Sequence, residues 1–264
     1  MHTGAAGAWS VPRSRPAAGR AALTLLGVTR LPLFPLGAAL FPGLVLPLNV
    51  FEERYRALVR DLLALPEDAP RRFGVIAIRN GLEVAPTGQE GRATGPAAGL
   101  GDEPMEALYG YGCVADAAGI AEREGGGYEL VATGVTRFSL LSLDVSGEYL
   151  TGEVEEVPER TGTGAGALVP EVTRAFTAYQ KRLAGARERT LSAQEFPDDP
   201  TVLSYLVAAA VIAETPVKQG LLETPDTAAR LGAELRLLRR ESALIDKLPS
   251  LPAVDLAQQA VSAN

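Results

Sequence analysis

Apolar residues change their spacing once along this chain, near residue 160, and that switch limits the folds open to it more than any other feature. Upstream, the apolar runs are short, often alternating and punctuated by Pro or Gly, which suits strands whose successive side chains point to opposite faces. Downstream, apolar positions recur at every third or fourth residue, the spacing of one helix face. A single switch of period means a β-rich unit followed by a helical one, so the expected class is α+β. The β-rich subdomain reads as 28–158 and the helical subdomain as 168–248, with Thr161-Gly-Thr-Gly-Ala-Gly-Ala167 as a flexible linker between them. Residues 1–27 mix Gly, Ala, Pro and Arg without periodicity and read as a disordered tail, with Val28 a candidate initiator; 249–264 read as a second tail.

Within the first unit, Leu31-Pro-Leu-Phe-Pro-Leu36 and Leu44-Val-Leu-Pro-Leu48 flank the turn Phe41-Pro42-Gly43. Their prolines place these strands at edges or bulges, as the rim of a small barrel. Asn49 and Glu52 form an N-x-x-E capping signature before Tyr55, Leu58, Val59, Leu62 and Leu63, which predicts one amphipathic helix over about 50–65 with Glu53, Arg54, Arg56, Arg60 and Asp61 turned to solvent. Phe73-Gly-Val-Ile-Ala-Ile78 reads as a buried strand, and Asn80-Gly81 before Leu82-Glu-Val84 as a hairpin turn. A mobile Gly-rich loop is expected over 86–104, then strands over 107–115, 128–133, 135–145 and 149–157.

In the second unit Val172, Phe176, Tyr179 and Leu183 mark one helix face. Asp199-Pro200, Thr215-Pro216 and Thr224-Pro225 each look like a capping residue followed by Pro at the first helical position, where its missing N–H costs no hydrogen bond.

Several chemistries are excluded by composition. His2 is the only histidine and lies in the tail, and Cys113 is the only cysteine, so histidine bases, disulfides and CxxC metal sites have nothing to draw on. No Gly-Lys dipeptide occurs, hence no G-x-x-x-x-G-K-[ST] phosphate loop. In Gly95-Pro-Ala-Ala-Gly99 an alanine, Ala97, stands where a serine nucleophile would be. We therefore expect no catalysis, no cofactor and no metal. No run reaches the roughly 20 apolar residues needed to span a bilayer, and a cytoplasmic location is expected. Net charge is −7, and residues 28–264 hold 32 acids against 22 bases, which argues against nucleic acid as a partner.

Three residues stand out as candidates for contact with an extended peptide. Tyr109 and Tyr111 share one strand face by the period of two, with the Gly-rich loop running into them, and Arg137 is a cation that a peptide carboxylate would attract. Cys113 lies on the tyrosine face but has no cationic neighbour in sequence, so it reads as a buried, inert thiol. Glu153, Glu155, Glu156 and Glu159 read as a solvated acidic strand edge that discourages aggregation.

Specific words then carry a resemblance. Leu31-Pro-Leu-Phe-Pro-Leu36, Phe41-Pro42-Gly43, Leu46-Pro47-Leu48 and Val50-Phe-Glu-Glu-Arg-Tyr55 resemble the opening of the Lon protease N-terminal substrate-binding domain family. Tyr111-Gly-Cys-Val-Ala115, Gly134-Val-Thr-Arg-Phe138 and Tyr149-Leu-Thr-Gly-Glu-Val154 are similar to its later strands, and Lys218-Gln219, Leu221-Leu-Glu223, Arg230-Leu231 and Leu237-Leu238 to its helices. The resemblance runs from about 30 to 247. It implies a PUA-like β pseudo-barrel with one helix, followed by a C-terminal helical bundle. It also implies a stand-alone, non-catalytic module that binds unfolded or extended polypeptides and is linked to proteolysis through a separate protease. PUA-like folds also support nucleic-acid binding, which stands as the alternative.

Overall fold

The prolines of the first strand show how the barrel is built. In the computed structural model, which describes residues 27–83, 95–186 and 195–247, β1 (Val28–Leu36) pairs antiparallel with β6 (Thr151–Val157) through residues 28–32 and parallel with β3 (Arg72–Ile78) through residues 33–36. Each half of β1 thus has a ladder on one side only. Pro32 and Pro35 occupy those one-sided halves, where a missing N–H breaks no second ladder. The sheet order is β2-β5-β4-β3-β1-β6, with β2 (Val45–Val50), β4 (Leu108–Glu122) and β5 (Tyr128–Asp144), and a further β5–β6 pairing closes five of the strands into a barrel. β2 is left outside, on the N-terminal half of β5. β1 is therefore an inner strand of the sheet and only β2 a rim strand, a correction to the expectation that both would lie at the rim.

All five barrel strands contribute to one interior cluster that includes Leu33, Ile76, Val114, Phe138, Leu140 and Val154. Phe138 fits because two neighbours lack side chains. A Cβ on Gly112 would lie 2.3 Å from the Phe138 ring and 2.5 Å from the Val75 carbonyl, and one on Gly74 would lie 3.0 Å from the ring. A second cluster joins the outer side of β1, β3 and β4 to α1 (Glu53–Leu63) through Phe34, Phe73, Val75, Tyr55, Leu58 and Leu62, with Phe34 and Tyr55 stacked at 4.1 Å. Burying Leu58 and Leu62 contributes about 1.5–3 kcal/mol each.

The structure corrects several local expectations. Asn49 does not cap α1: it sits in β2 opposite Glu129, its Oδ1 accepts from Arg123, and the cap position is Glu52 without a side-chain bond. Arg54 does not face solvent. It is 7% exposed, and its Nη1 donates to the Ala98 carbonyl (2.6 Å) and the Pro96 carbonyl (3.2 Å), its Nη2 to the Glu83 carbonyl (3.3 Å). Residues 95–103 are consequently ordered, with Ala98 and Leu100 buried; residues 86–94 of the expected loop lie outside the described residues. No hairpin follows Asn80-Gly81, because the Leu82 N–H donates to the Gly99 carbonyl and the antiparallel partner of β3 is β4. Val84 is outside the described residues. A short helix, α2 (Pro104–Ala107), leads into β4, and β5 runs unbroken through Gly134.

The second half holds α3 (Ala165–Ala186), α4 (Pro200–Ala210), α5 (Thr215–Leu222) and α6 (Thr227–Lys247) around Val172, Phe176, Leu203, Leu231 and Leu238. Asp199 caps α4 as its sequence implies, accepting from the Thr201 and Val202 amides. The other two Pro signals are displaced. α5 begins at Thr215, whose hydroxyl instead reaches the Gly37 carbonyl, and α6 begins beyond Pro225, with Asp226 Oδ1 accepting from the Ala229 N–H. The stretch expected to be a flexible linker is tied down: the Thr227 and Ala228 amides donate to the Arg160 and Thr161 carbonyls, and α3 starts inside it.

Glu234 of α6 is fully buried among the helices, and neither carboxylate oxygen has a hydrogen-bond partner. Burial drives its pKa well above the usual carboxylate range, against the smaller pull of Arg230. A carboxyl whose folded pKa is raised binds its proton more tightly in the native state. Stability is therefore lost as pH rises from the ordinary value near 4.5 toward the raised one. Glu234→Gln should flatten this decline, read as urea midpoints across the acid-to-neutral range; parallel wild-type and variant curves would contradict it. Gly112→Ala should destabilise by roughly 1–3 kcal/mol through its collision with Phe138 and the Val75 carbonyl, whereas Gly110→Ala, whose Cβ would meet nothing within 4 Å, should change little in the same denaturation assay.

Candidate functional site

The two halves meet across a buried ion cluster built on three segments. Arg137 of β5, opposite Cys113 in the sheet, is 1% exposed, and its Nη1 donates to the carbonyls of Leu222 (2.9 Å) and Thr224 (2.6 Å). Those carbonyls end α5 and have no intrahelical partner, so the cation both satisfies them and complements the negative helix end. Arg230 of α6 donates from Nε to the Leu221 carbonyl, from Nη1 to Ser204 and from Nη2 to Glu159 (3.0 Å), and it lies 4.0 Å over the Tyr205 ring. Glu159 stands just past β6 and joins the two: Oε2 is 3.2 Å from Arg137 Nη2, while Oε1 also accepts from Thr227.

Burial pushes the Glu159 pKa up, but the hydrogen bond from the Tyr205 hydroxyl and the charges of Arg230 and Arg137 outweigh it, so the carboxyl is held below its usual range. Burial first, and then the carboxylate it serves, keep the Tyr205 hydroxyl protonated. Phe41 adds the apolar part of the joint. It leaves the β1–β2 connection to enter the helical cluster, 6.2 Å from Tyr205. Gly134 makes room for it, since a Cβ there would lie 2.4 Å from the Phe41 carbonyl.

Above this cluster lies a crevice of about 230 Å³. Pro42, Gly43 and Val135 form its β-side wall, Thr201, Val202 and Tyr205 its helical wall, and Arg137 and Glu159 its floor. Its lips are apolar and open, Val202 being 54% exposed and Val135 42%. Such a cleft accepts small apolar side chains over a polar base.

Of the three residues singled out from sequence, Arg137 lines this crevice, with its guanidinium engaged by Glu159 and the end of α5. Tyr109 and Tyr111 do not line it. Both are half-buried on β4: Tyr109 lies under the Arg79 guanidinium at 4.9 Å, beside a wide, shallow depression that includes Arg79, Leu100 and Met105, and the Tyr111 carbonyl accepts from Gln219 of α5. Cys113 is buried, and burial pushes its thiol up to about 12. Glu159 is exposed at the residue level like Glu155 and Glu156, but its carboxylate is engaged by Arg137 and Arg230 and so does not belong to a merely solvated acidic edge. Sequence reading missed Glu159, Tyr205 and Arg230 as a unit. The available signal was an arginine next to the apolar positions Leu231 and Leu235 of a helix, because a guanidinium placed there must find a carboxylate. Among the described residues, no group of three His, Cys, Asp or Glu is gathered to hold a metal ion, and no helix is long and apolar enough to cross a membrane.

Comparison with known proteins follows the same boundaries. Residues 30–240 match the ATP-dependent protease La (LON) substrate-binding domain. The chain is 28% identical over 222 residues to Lon protease 2 of Myxococcus xanthus and 30% identical over 225 residues to Lon protease of Anaeromyxobacter dehalogenans. Each alignment covers 81% of this chain and 24% of the relative, so the chain spans about a quarter of the length of these curated relatives. In fold it is similar to the crystal structure of a Lon N-terminal domain protein from Xanthomonas campestris (TM-score 0.51, 23% identity, 80% of this chain and 98% of that one). It is also similar to the N-terminal domain of Mycobacterium avium complex Lon protease (TM-score 0.52, 20% identity, 81% and 98%). An α+β chain whose barrel and helices lie in this order, and whose match spans both halves, belongs to the Lon substrate-binding domain family.

Proposed function

We propose that this protein is a non-catalytic receptor for unfolded or extended polypeptides, acting in the cytoplasm and passing what it binds to a protease on a separate chain. The observation that carries this reading is the open apolar crevice at the joint of the two halves, in a family described by substrate binding. Val135 and Val202 offer the contact, and Glu159 links the walls by pairing with Arg137 of β5 and accepting from Tyr205 of α4. Tyr109 and Tyr111 supply a second, flanking patch on β4, beside Arg79. The lack of a Gly-Lys dipeptide supports the non-catalytic part of the proposal. Acids outnumber bases, which favours basic clients over nucleic acid.

Anisotropy titration with fluorescent unfolded peptides tests the proposal. Binding in the micromolar range or weaker is expected for a contact this small. Val202→Glu places a charge on the crevice lip at an exposed position in the first turn of α4, where an acid suits the helix end, and should weaken binding about tenfold, roughly 1.4 kcal/mol. Tyr109→Ala with Tyr111→Ala should weaken it less. Unchanged affinity in Val202→Glu would remove the crevice from the proposal. ATP hydrolysis or casein cleavage that persists through purification would overturn its non-catalytic part, and a salt-sensitive RNA shift would favour a nucleic-acid partner instead.

A further inference from the structure

The β4–β5 hairpin reaches past the barrel, and one edge of it is open. β3 stops pairing with β4 at Arg72 opposite Asp116, and the last cross-connection on that side is the Ala117 N–H donating to the Arg71 carbonyl. Past the bulged Ala118, residues 119–122 then pair only with β5. Among the described residues no strand covers their other side. Another free edge of the sheet is β2, which carries Pro47 and so lacks a donor. The 118–122 edge has no proline, and its one irregularity is the bulge between Ala117 and Gly119. Four of its five residues are exposed.

The face beside this edge has a definite chemistry. Gly119 lies opposite Val131 of β5, and Val131 lies opposite Pro47 of β2. Val131 is 42% exposed, and nothing lies within 4 Å of where a Cβ on Gly119 would be. A strand added outside β4 could therefore lay a long apolar side chain across Gly119 onto Val131. Two residues further along the same face, Ala121 lies opposite Glu129, which is exposed and carries a single ion pair to Arg123 at 3.4 Å. Glu122 adds an exposed acid at the end of the edge, on the opposite face of the strand.

We infer that the 118–122 edge of β4 binds an extended, basic polypeptide segment by strand addition, with an apolar residue opposite Gly119 and basic residues two positions to either side. This rests on the polypeptide-binding reading above and adds a second, backbone-directed contact to the crevice. A second copy of this chain suits the edge poorly. Antiparallel self-pairing centred on Gly119 would bring Glu122 of each copy toward Asp116 of the other, like charges on facing strands.

The test is amide hydrogen exchange of the full chain with the capped peptide Lys-Thr-Phe-Thr-Lys. Two N-methylated versions are included, one blocked at both Thr and one at Phe and the second Lys. In an added strand only alternate N–H groups face β4. Exchange within 118–122 should therefore slow several-fold with the parent peptide, persist with one methylated version and be lost with the other. Replacing Phe by Ser, or both Lys by Glu, should weaken the effect. Slowing confined to 42–43, 135–136 and 201–205 would overturn the inference and leave the crevice reading intact, while no slowing anywhere would overturn both. Equal protection by both methylated peptides would rule out strand addition. Protection of 118–122 that rises with protein concentration in the absence of peptide would assign the edge to a second copy.

Discussion

Two guanidinium groups, those of Arg137 and Arg230, are removed from water at the joint of the molecule, and the rest of the architecture depends on their neutralisation by one carboxylate, Glu159. A buried charge left without a partner costs several kcal/mol, so the joint forms only when β5, Glu159 just past β6, and α6 arrive together. Glu159 is partly open to the crevice, which lowers the desolvation cost of the group that serves both cations. The arrangement makes the two halves one cooperative unit. It also fixes the crevice, because the groups that close the joint are the groups that form the crevice floor.

The same joint explains several features that look independent. α5 can end at Leu222 with its last carbonyls turned inward because Arg137 satisfies them. Phe41 can leave the barrel for the helical cluster because Gly134 leaves room for its backbone. The turn between the halves is held by the Thr227 and Ala228 amides, so the Gly-rich stretch after Pro158 acts as a fixed corner. Its glycines supply unusual backbone conformations at Gly162 and Gly164, both at positive φ, in a segment that composition alone would mark as flexible.

Local chemistry carried much of the reading from sequence. The β-then-α order, the helix carrying Tyr55, Leu58 and Leu62, the strand at Phe73 and the Asp199-Pro200 cap were legible because each depends on residues a few positions apart. Asn49, Arg54 and Asn80-Gly81 were misread for the opposite reason. Each has a strong local preference that a distant partner overrides: Glu129 and Arg123 hold Asn49 in a strand, the carbonyls of residues 83, 96 and 98 draw Arg54 inward, and Gly99 takes the Leu82 amide that a hairpin would have used. Thr215, whose hydroxyl reaches the Gly37 carbonyl, follows the same pattern, whereas the cap that moves from Thr224 to Asp226 shifts locally by two residues.

By itself, the sequence determined the α+β class and the family, since these follow from period, residue type and the order of short words. Tertiary structure alone decided which charges are buried, where the crevice opens and which strand edge is left uncovered. Hydrophobic periodicity says which face of an element turns inward. It carries no information about which element that face meets, and the pairing of Arg137 and Arg230 with Glu159 is a relation among segments that only the closed fold brings within hydrogen-bond distance.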